Sequence, residues 1–112
     1  MTITREDLEM AAKAAGLEWQ SYDMGRGLCL ATPKGGMVIT QMWHPGKDDG
    51  DCARMCAAVG IDVCWASDHV SVNDAAFNHT PSGTWFQDHA NDKCAAWRYA
   101  SVKLAAAVGR AM

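Results

Sequence analysis

The chain lacks the sequence features that mark several well-known function classes. Its 10 basic and 13 acidic residues give a formal net charge of −3, and neither sign forms a long run. Non-specific binding to nucleic acid requires a basic patch that displaces counterions. There is no stretch of about 18 apolar residues, as a transmembrane helix needs, and no basic amino-terminal segment followed by an apolar run. The sequence therefore predicts a soluble, cytosolic protein with neither nucleic acid nor a membrane as its partner.

Motifs for catalysis and for phosphate or metal binding are also missing. There is no Gly-x-Ser-x-Gly nucleophile turn, and the glycines at 25–27 and 35–36 lack the context of a phosphate loop, so hairpin turns are predicted there. The acidic group at 48–51 lacks the EF-hand pattern and is better explained by helix capping. A metal-dependent hydrolase would need Asp62 or Asp68 to converge with that group. The pattern favours binding over catalysis and predicts no cofactor or metal.

Cysteine usage points to an intracellular, reduced protein. The five cysteines are Cys29, Cys52, Cys56, Cys64 and Cys94. An odd number cannot pair completely within one chain, and the spacing resembles no small disulfide scaffold, so reduced and mostly buried thiols are expected. Cys52 and Cys56 lie four residues apart in a predicted helix and are candidate metal ligands with His44 or His69. A structural zinc site usually has two closely spaced ligand pairs, which favours two core thiols instead.

Local patterns predict three helices, at residues 5–15, 50–59 and 88–108. Thr4 and Asp7 resemble a capping box at the first helix. Asp48 or Asp49 can cap the second helix, and Gly60 is its predicted carboxyl end. The third helix is expected to pack through a stripe that includes Cys94, Trp97 and other mostly small residues, namely Ala90, Ser101, Leu104, Ala105 and Val108.

Strands are predicted at 17–22, 28–32, 37–43 and 61–66, and a further short strand is compatible with 69–72. Short turns between the first three strands indicate an antiparallel meander. Residues 67–86 are otherwise expected to form a loop or a broken hairpin. These elements predict a single α/β domain of the α+β type over residues 1–112. It is a layered sandwich of three helices and a mainly antiparallel sheet of about four strands, in the order α-β-β-β-α-β-(β)-α.

Three stretches carry a resemblance to a known family. They are the alanine-rich run at 11–16, the Trp43-His44-Pro45 element with the acids that follow it, and the terminal run at 102–112. In this order they resemble the phage ABA-sandwich domain, which is known mainly from bacteriophage and prophage genomes. His44 stands where the family usually has asparagine. The resemblance implies a layered α/β fold and a phage protein located in the bacterial host cytoplasm, and it brings no catalytic residues.

Five tryptophans are many for 112 residues. Trp43 and Trp97 are predicted to lie in the core. Trp85 and Phe86 follow the turn signal at 81–83, where an apolar pair on a loop would need a pocket or a partner. The first hypothesis is therefore a phage accessory protein that binds a host protein, such as a defence or transcription component, through a patch that includes Trp85 and Phe86.

The second hypothesis is an oligomer that sequesters a small nucleotide signal of host defence. An aromatic ring would stack on the base, and Arg26, Arg54 or Arg98 would hold the phosphate. His89, Trp43 and His44 complete the set of candidate binding residues. The exposed aromatic loop and the small-residue face of the terminal helix also allow a homodimer.

Overall fold

The computed structural model describes residues 2–22, 28–33, 41–75 and 80–112, and for residues 20–22, 28–33 and 41–42 it describes the backbone alone. The elements are α1 (Arg5–Ala14), β1 (Leu17–Tyr22), β2 (Leu28–Pro33), β3 (Gln41–Met42), α2 (Asp49–Val59), β4 (Ile61–Trp65), β5 (His69–Asp74), β6 (Ser82–Trp85), a 3-10 helix (Phe86–His89) and α3 (Lys93–Ala111). This order confirms the α+β class and the three predicted helices. Within the described residues, no helix is both long and apolar enough to cross a membrane.

The strands form two antiparallel sheets of three, sheet A in the order β1-β2-β3 and sheet B in the order β4-β5-β6. The hairpin of β1 and β2 agrees with the predicted meander. Of the third predicted strand, at 37–43, residues 37–40 lie outside the described residues, and residues 41–42 form β3. The compatible short strand after residue 68 is confirmed as β5 and runs to Asp74. Of the two alternatives predicted for residues 67–86, a loop or a broken hairpin, the hairpin is confirmed, because Ser82–Trp85 pair with β5 as β6.

Short-range hydrogen bonds fix the ends of α1 and α2. The Thr4 amide donates to Asp7 Oδ2 at 2.9 Å and the Asp7 amide donates to Thr4 Oγ1 at 3.1 Å, which is a reciprocal capping box. Asp48 caps α2 by accepting from the Asp51 amide at 2.8 Å. Gly60 ends α2 in the left-handed region with φ of 84°, which glycine adopts without a steric penalty. All three predictions for these helix ends are confirmed.

The start of α3 differs from the sequence prediction. The 3-10 helix follows β6 directly, and Ala90 and Asn91 then take φ values of 54° and 62°, which reverse the chain. Asp92 caps α3 by accepting from the Ala95 amide at 3.0 Å, so the helix begins at Lys93 and not at residue 88.

The buried face of α3 is also broader than the predicted stripe. Cys94 is exposed, whereas Ala96, Ala100, Val102 and Ala106 are buried. The reason is that α3 packs against α1 on one side and against sheet B on the other, so its buried residues lie on two faces of the helix and not on one stripe.

The core therefore lies on two sides of α3. Towards α1 and α2 the buried residues are Leu8, Ala11, Ala12, Trp43, Cys52, Met55, Val102 and Ala105. Towards sheet B they are Val70, Val72, Phe86, Ala96, Ala100 and Leu104. Trp97 packs against both groups, which confirms the core prediction for this residue and for Trp43.

A buried carboxylate joins α1 to α3. Lys103 Nζ lies 2.7 Å from Asp7 Oδ2 and Arg110 lies 2.8 Å from Asp7 Oδ1. Burial by itself raises the pKa of Asp7, but hydrogen bonds from Lys103, the Thr4 amide and Arg110 outweigh burial and hold that pKa well below its usual range. Two sequence-distant helices are thus held by one charged group.

Candidate functional site

Trp85, the last residue of β6, is half-exposed, with 52% of its surface accessible. It lies directly opposite His69 in the pairing of β5 and β6, and the two rings meet edge to face with centroids 5.2 Å apart. His69 Nδ1 is in turn 2.8 Å from Asp68 Oδ1. An exposed tryptophan is thereby held in one place by its cross-strand neighbour.

Phe86 does not share that surface, although the sequence suggested an exposed pair. Only 5% of Phe86 is accessible, and it packs with Val70, Ala96 and Trp97. Lys93 Nζ lies 5.5 Å from the centre of its ring. Successive side chains at the end of a strand point to opposite faces, so Trp85 faces outward while Phe86 turns beneath α3. The expectation of an exposed aromatic pair is therefore wrong for Phe86.

A cleft of about 370 Å³ adjoins Trp85 where the chain turns from β4 to β5. Its lining residues are Ser67, Asp68, Trp85, Phe86, Gln87 and Asn91. It offers one aromatic wall together with hydroxyl, amide and carboxylate groups, and none of the lining residues that the structure describes is basic. These groups suit hydrogen-bond donors or a cation better than a phosphate.

His89, a further predicted binding residue, is occupied within the structure. Its Nε2 lies 2.9 Å from Thr84 Oγ1, and its ring centroid is 5.2 Å from that of Tyr99. These contacts tie the 3-10 helix to β6 and to α3. The arrangement gives His89 a role in holding the segment that follows Trp85.

The predicted phosphate-binding arginines lie instead at the amino end of α2. Arg54 pairs with Asp51 at 2.7 Å. Arg98, with 15% of its side chain accessible, forms an ion pair with Asp49 and donates from Nε to the Gly46 carbonyl at 3.2 Å. Both guanidinium groups therefore pair with carboxylates of α2, although 67% of the Arg54 side chain stays accessible. Arg26, the third predicted arginine, lies outside the described residues.

Trp43 and His44 lie in the same region and serve the fold. Trp43 is buried and meets Trp19 edge to face, with ring centroids 6.4 Å apart. The His44 amide donates to Asp51 Oδ2 at 3.0 Å, and its Nδ1 is buried without a hydrogen-bond partner among the described residues. Burial and the charge of Lys47 lower the pKa of His44. The burial of Trp43 gives this residue a place in the core and not on an accessible binding surface.

Cys52 and Cys56 share one face of α2, as the sequence predicted, with Cys52 buried and Cys56 half-buried. The buried Ser101 hydroxyl of α3 has no hydrogen-bond partner of ordinary geometry in the described part of the chain. The neighbouring Cys56 and burial together raise the pKa of Cys52, whereas donation from Cys52 lowers that of Cys56. The described residues contain no group of three or more potential metal ligands.

The expectation of mostly buried cysteines fails for two of the five. Cys64 on β4 and Cys94 near the start of α3 are both exposed. The side chain of Cys29 lies outside the described residues. The favoured interpretation of two core thiols holds for Cys52 and in part for Cys56.

Sequence reasoning missed a second exposed aromatic surface. Trp65 and Val63 on β4 are 50% and 42% accessible, although they lie opposite the buried Val70 and Val72. α3 packs mainly on β5 and β6, so the same face of β4 is left partly uncovered. The alternation at residues 61–65 predicted a strand, but only the position of α3 reveals that its apolar side chains are accessible.

Comparison of the chain with protein family models, curated proteins and solved structures finds no match. The resemblance to the phage ABA-sandwich domain therefore stays a prediction.

Proposed function

We propose that this protein acts by binding another protein, without catalysis, and that the surface around Trp85 makes the central contact. The observation that supports this is the half-exposed Trp85 ring, held against His69 beside a cleft. Burial of a large, preorganised tryptophan contributes more to protein association than most other side chains do.

The charges around Trp85 indicate the kind of partner. Asp68 lines the cleft beside it, and Asp88 is exposed in the 3-10 helix that follows it. Carboxylates at the rim of an interface select a partner with complementary charge and raise the association rate. The partner surface should therefore offer an apolar pocket for an indole ring, rimmed by lysine or arginine.

The resemblance to the phage family adds that the partner is a host protein, such as a defence or transcription component. The nucleotide alternative has less support, because Arg54 and Arg98 pair with the acids of α2 and the described lining of the cleft beside Trp85 contains no basic residue. A nucleotide-sized mass retained by the purified protein in native mass spectrometry would reverse this preference.

The test is capture from bacterial lysate on immobilised protein, identification of the captured protein, and calorimetric titration of the two purified proteins. Trp85→Ala should weaken binding by about 30-fold or more, as expected for an aromatic hot spot. Trp65→Ala is the matched control, because that ring is equally exposed but lies on the opposite face of sheet B, and it should bind like the wild type. Equal losses in the two variants, or no loss in Trp85→Ala, would contradict the proposal.

A further inference from the structure

β4 is an edge strand whose outward hydrogen-bonding groups can be assigned. Within the described residues it pairs with β5 alone. The Ala66 amide donates to the His69 carbonyl at 2.9 Å, and the Ala75 amide donates to the Gly60 carbonyl at 2.8 Å. Hydrogen-bonded pairs alternate along an antiparallel ladder, so residues 60, 62, 64 and 66 point their backbone groups towards β5. The amides and carbonyls of residues 61, 63 and 65 therefore point outward.

The same strand presents apolar side chains, and Asp62 is its one charged residue. Val63 and Trp65 are exposed on the face that α3 leaves uncovered. Natural edge strands are usually guarded by lysine, proline, bulges or short length, and β4 contains no lysine, proline or glycine. β6, at the other edge, is shorter, contains Gly83 and follows Pro81. The unguarded edge of sheet B is thus β4.

We propose that β4 pairs antiparallel with β4 of a second copy about a twofold axis at Val63, which joins the two copies of sheet B into one continuous six-stranded sheet. The outward groups determine this register. With Val63 opposite Val63, each Ile61 lies opposite a Trp65, and all three outward residues donate and accept. A shift of one residue would bring inward-pointing groups to the junction, and a shift of two would leave Ile61 or Trp65 unpaired.

Side chains agree with this register. The two Val63 side chains meet at the axis, and each Trp65 ring covers Ile61 of the second copy on the face left open by α3. On the other face Asp62 lies opposite Cys64, so no like charges oppose each other across the junction. A twofold strand pairing is self-complementary and closes at two subunits, which suits a second copy as the occupant of this edge.

Molecular mass measured by light scattering over a range of protein concentrations provides the first test. The wild type should approach twice the subunit mass as concentration rises. Val63→Lys places two ammonium groups together at the axis and should raise the dissociation constant of the dimer at least tenfold. Cys64→Lys is the matched control, because its ammonium would face Asp62 of the second copy and the dimer should persist. Circular dichroism establishes that both variants fold.

Amide hydrogen exchange of the wild type gives a test that requires no variant. Amides of Ile61, Val63 and Trp65 should exchange more slowly at high concentration than at low concentration, whereas those of Asp62 and Cys64 are already bonded to β5 and should not change. The proposal would be overturned if the measured mass equalled that of one subunit at every concentration, or if the dimer persisted in Val63→Lys. Exchange rates that do not depend on concentration at all five amides would overturn it as well. The Trp85→Ala variant should still dimerise. A negative result for the β4 dimer is therefore distinguishable from a negative result for partner binding at Trp85.

Discussion

The interface between α1 and α3 and the free surfaces of sheet B differ most in the size of their side chains. At the helix interface Ala11, Ala12, Ala105 and Gly109 are fully or almost fully buried and allow close approach. Sheet B instead leaves Trp65 and Trp85 half-exposed. Small residues let two helices approach closely, so the contact between them tolerates little added side-chain volume. Large exposed rings contribute little to folding stability and much to protein association. The comparison separates residues that maintain the fold from residues available for binding.

The largest expected effect is at the point where the two helices cross. A Cβ atom added at Gly109 would lie 1.9 Å from the Met10 carbonyl oxygen. Gly109→Ala must force α1 and α3 apart, and we expect a loss of about 4 kcal/mol or more in the free energy of unfolding, measured by urea denaturation. Gly50→Ala is the control, because its Cβ would meet only side-chain atoms of Arg54 and Asp48 at 3.2 Å or more. Similar losses in both variants would show that the crossing is not especially tight.

The adjacent residues Trp85 and Phe86 should differ in how much their substitution lowers stability. Phe86→Ala removes a ring buried among Val70, Ala96 and Trp97 and should cost about 3 kcal/mol. Trp85→Ala removes a half-exposed ring and should change stability by less than about 1 kcal/mol. Thermal and urea unfolding of the two variants measure this difference. A large loss in Trp85→Ala would mean that this residue maintains the fold and would remove the basis for its assignment as a contact.

Removal of the buried carboxylate should have an intermediate effect. Asp7→Asn leaves Lys103 and Arg110 without their shared anion, and because both cations are partly exposed we expect a loss of about 2 kcal/mol. Glu6→Gln is the control, since Glu6 is largely exposed and lies 3.4 Å from Arg110, and it should cost less than about 1 kcal/mol.

The Asp7 carboxylate also predicts how stability depends on pH. Its pKa is lowered in the folded state, so its contribution is present above the unfolded value of about 3.9 and is lost progressively as the pH falls below that value. Urea unfolding between about pH 5 and pH 2 should show a shallower loss in Asp7→Asn than in the wild type. Parallel curves would mean that Asp7 does not dominate acid unfolding.

The smallest expected effect is on thiol reactivity. Cys56 has its pKa lowered by donation from Cys52, so Cys52→Ala should raise that pKa and slow the alkylation of Cys56 near pH 7 by a few-fold. Peptide mass spectrometry after brief treatment with iodoacetamide measures the rate at each cysteine. Cys94→Ala, at an exposed position in α3, should leave the rate at Cys56 unchanged. A faster reaction of Cys56 in Cys52→Ala would contradict the assigned direction of donation.

Local elements could be predicted from the sequence because their causes lie within a few residues. Thr4 and Asp7 bond to each other, Asp48 bonds to the third residue after it, and Gly60 supplies the left-handed turn. Each of these interactions depends on side-chain chemistry and spacing alone. The helix ends and the α+β class therefore followed from the sequence.

The candidate site could not be predicted in the same way, because exposure depends on contacts between distant parts of the chain. Adjacent residues Trp85 and Phe86 have similar chemistry, yet α3 covers only the second. Trp65 is accessible because α3 lies over β5 and β6, and the sequence of β4 contains no signal for this. Arg54 and Arg98 pair with acids of α2, and the sequence does not show that these charges meet in the fold.

The position of α3 also has a consequence for the synthesis of the protein. This helix fills the space between α1 and sheet B, and Arg110 reaches Asp7 across 103 positions of sequence. While residues 93–111 remain in the ribosome, α1 and sheet B lack the helix that packs against both. The nascent chain therefore exposes the apolar faces of both, and its folding waits for α3 to emerge.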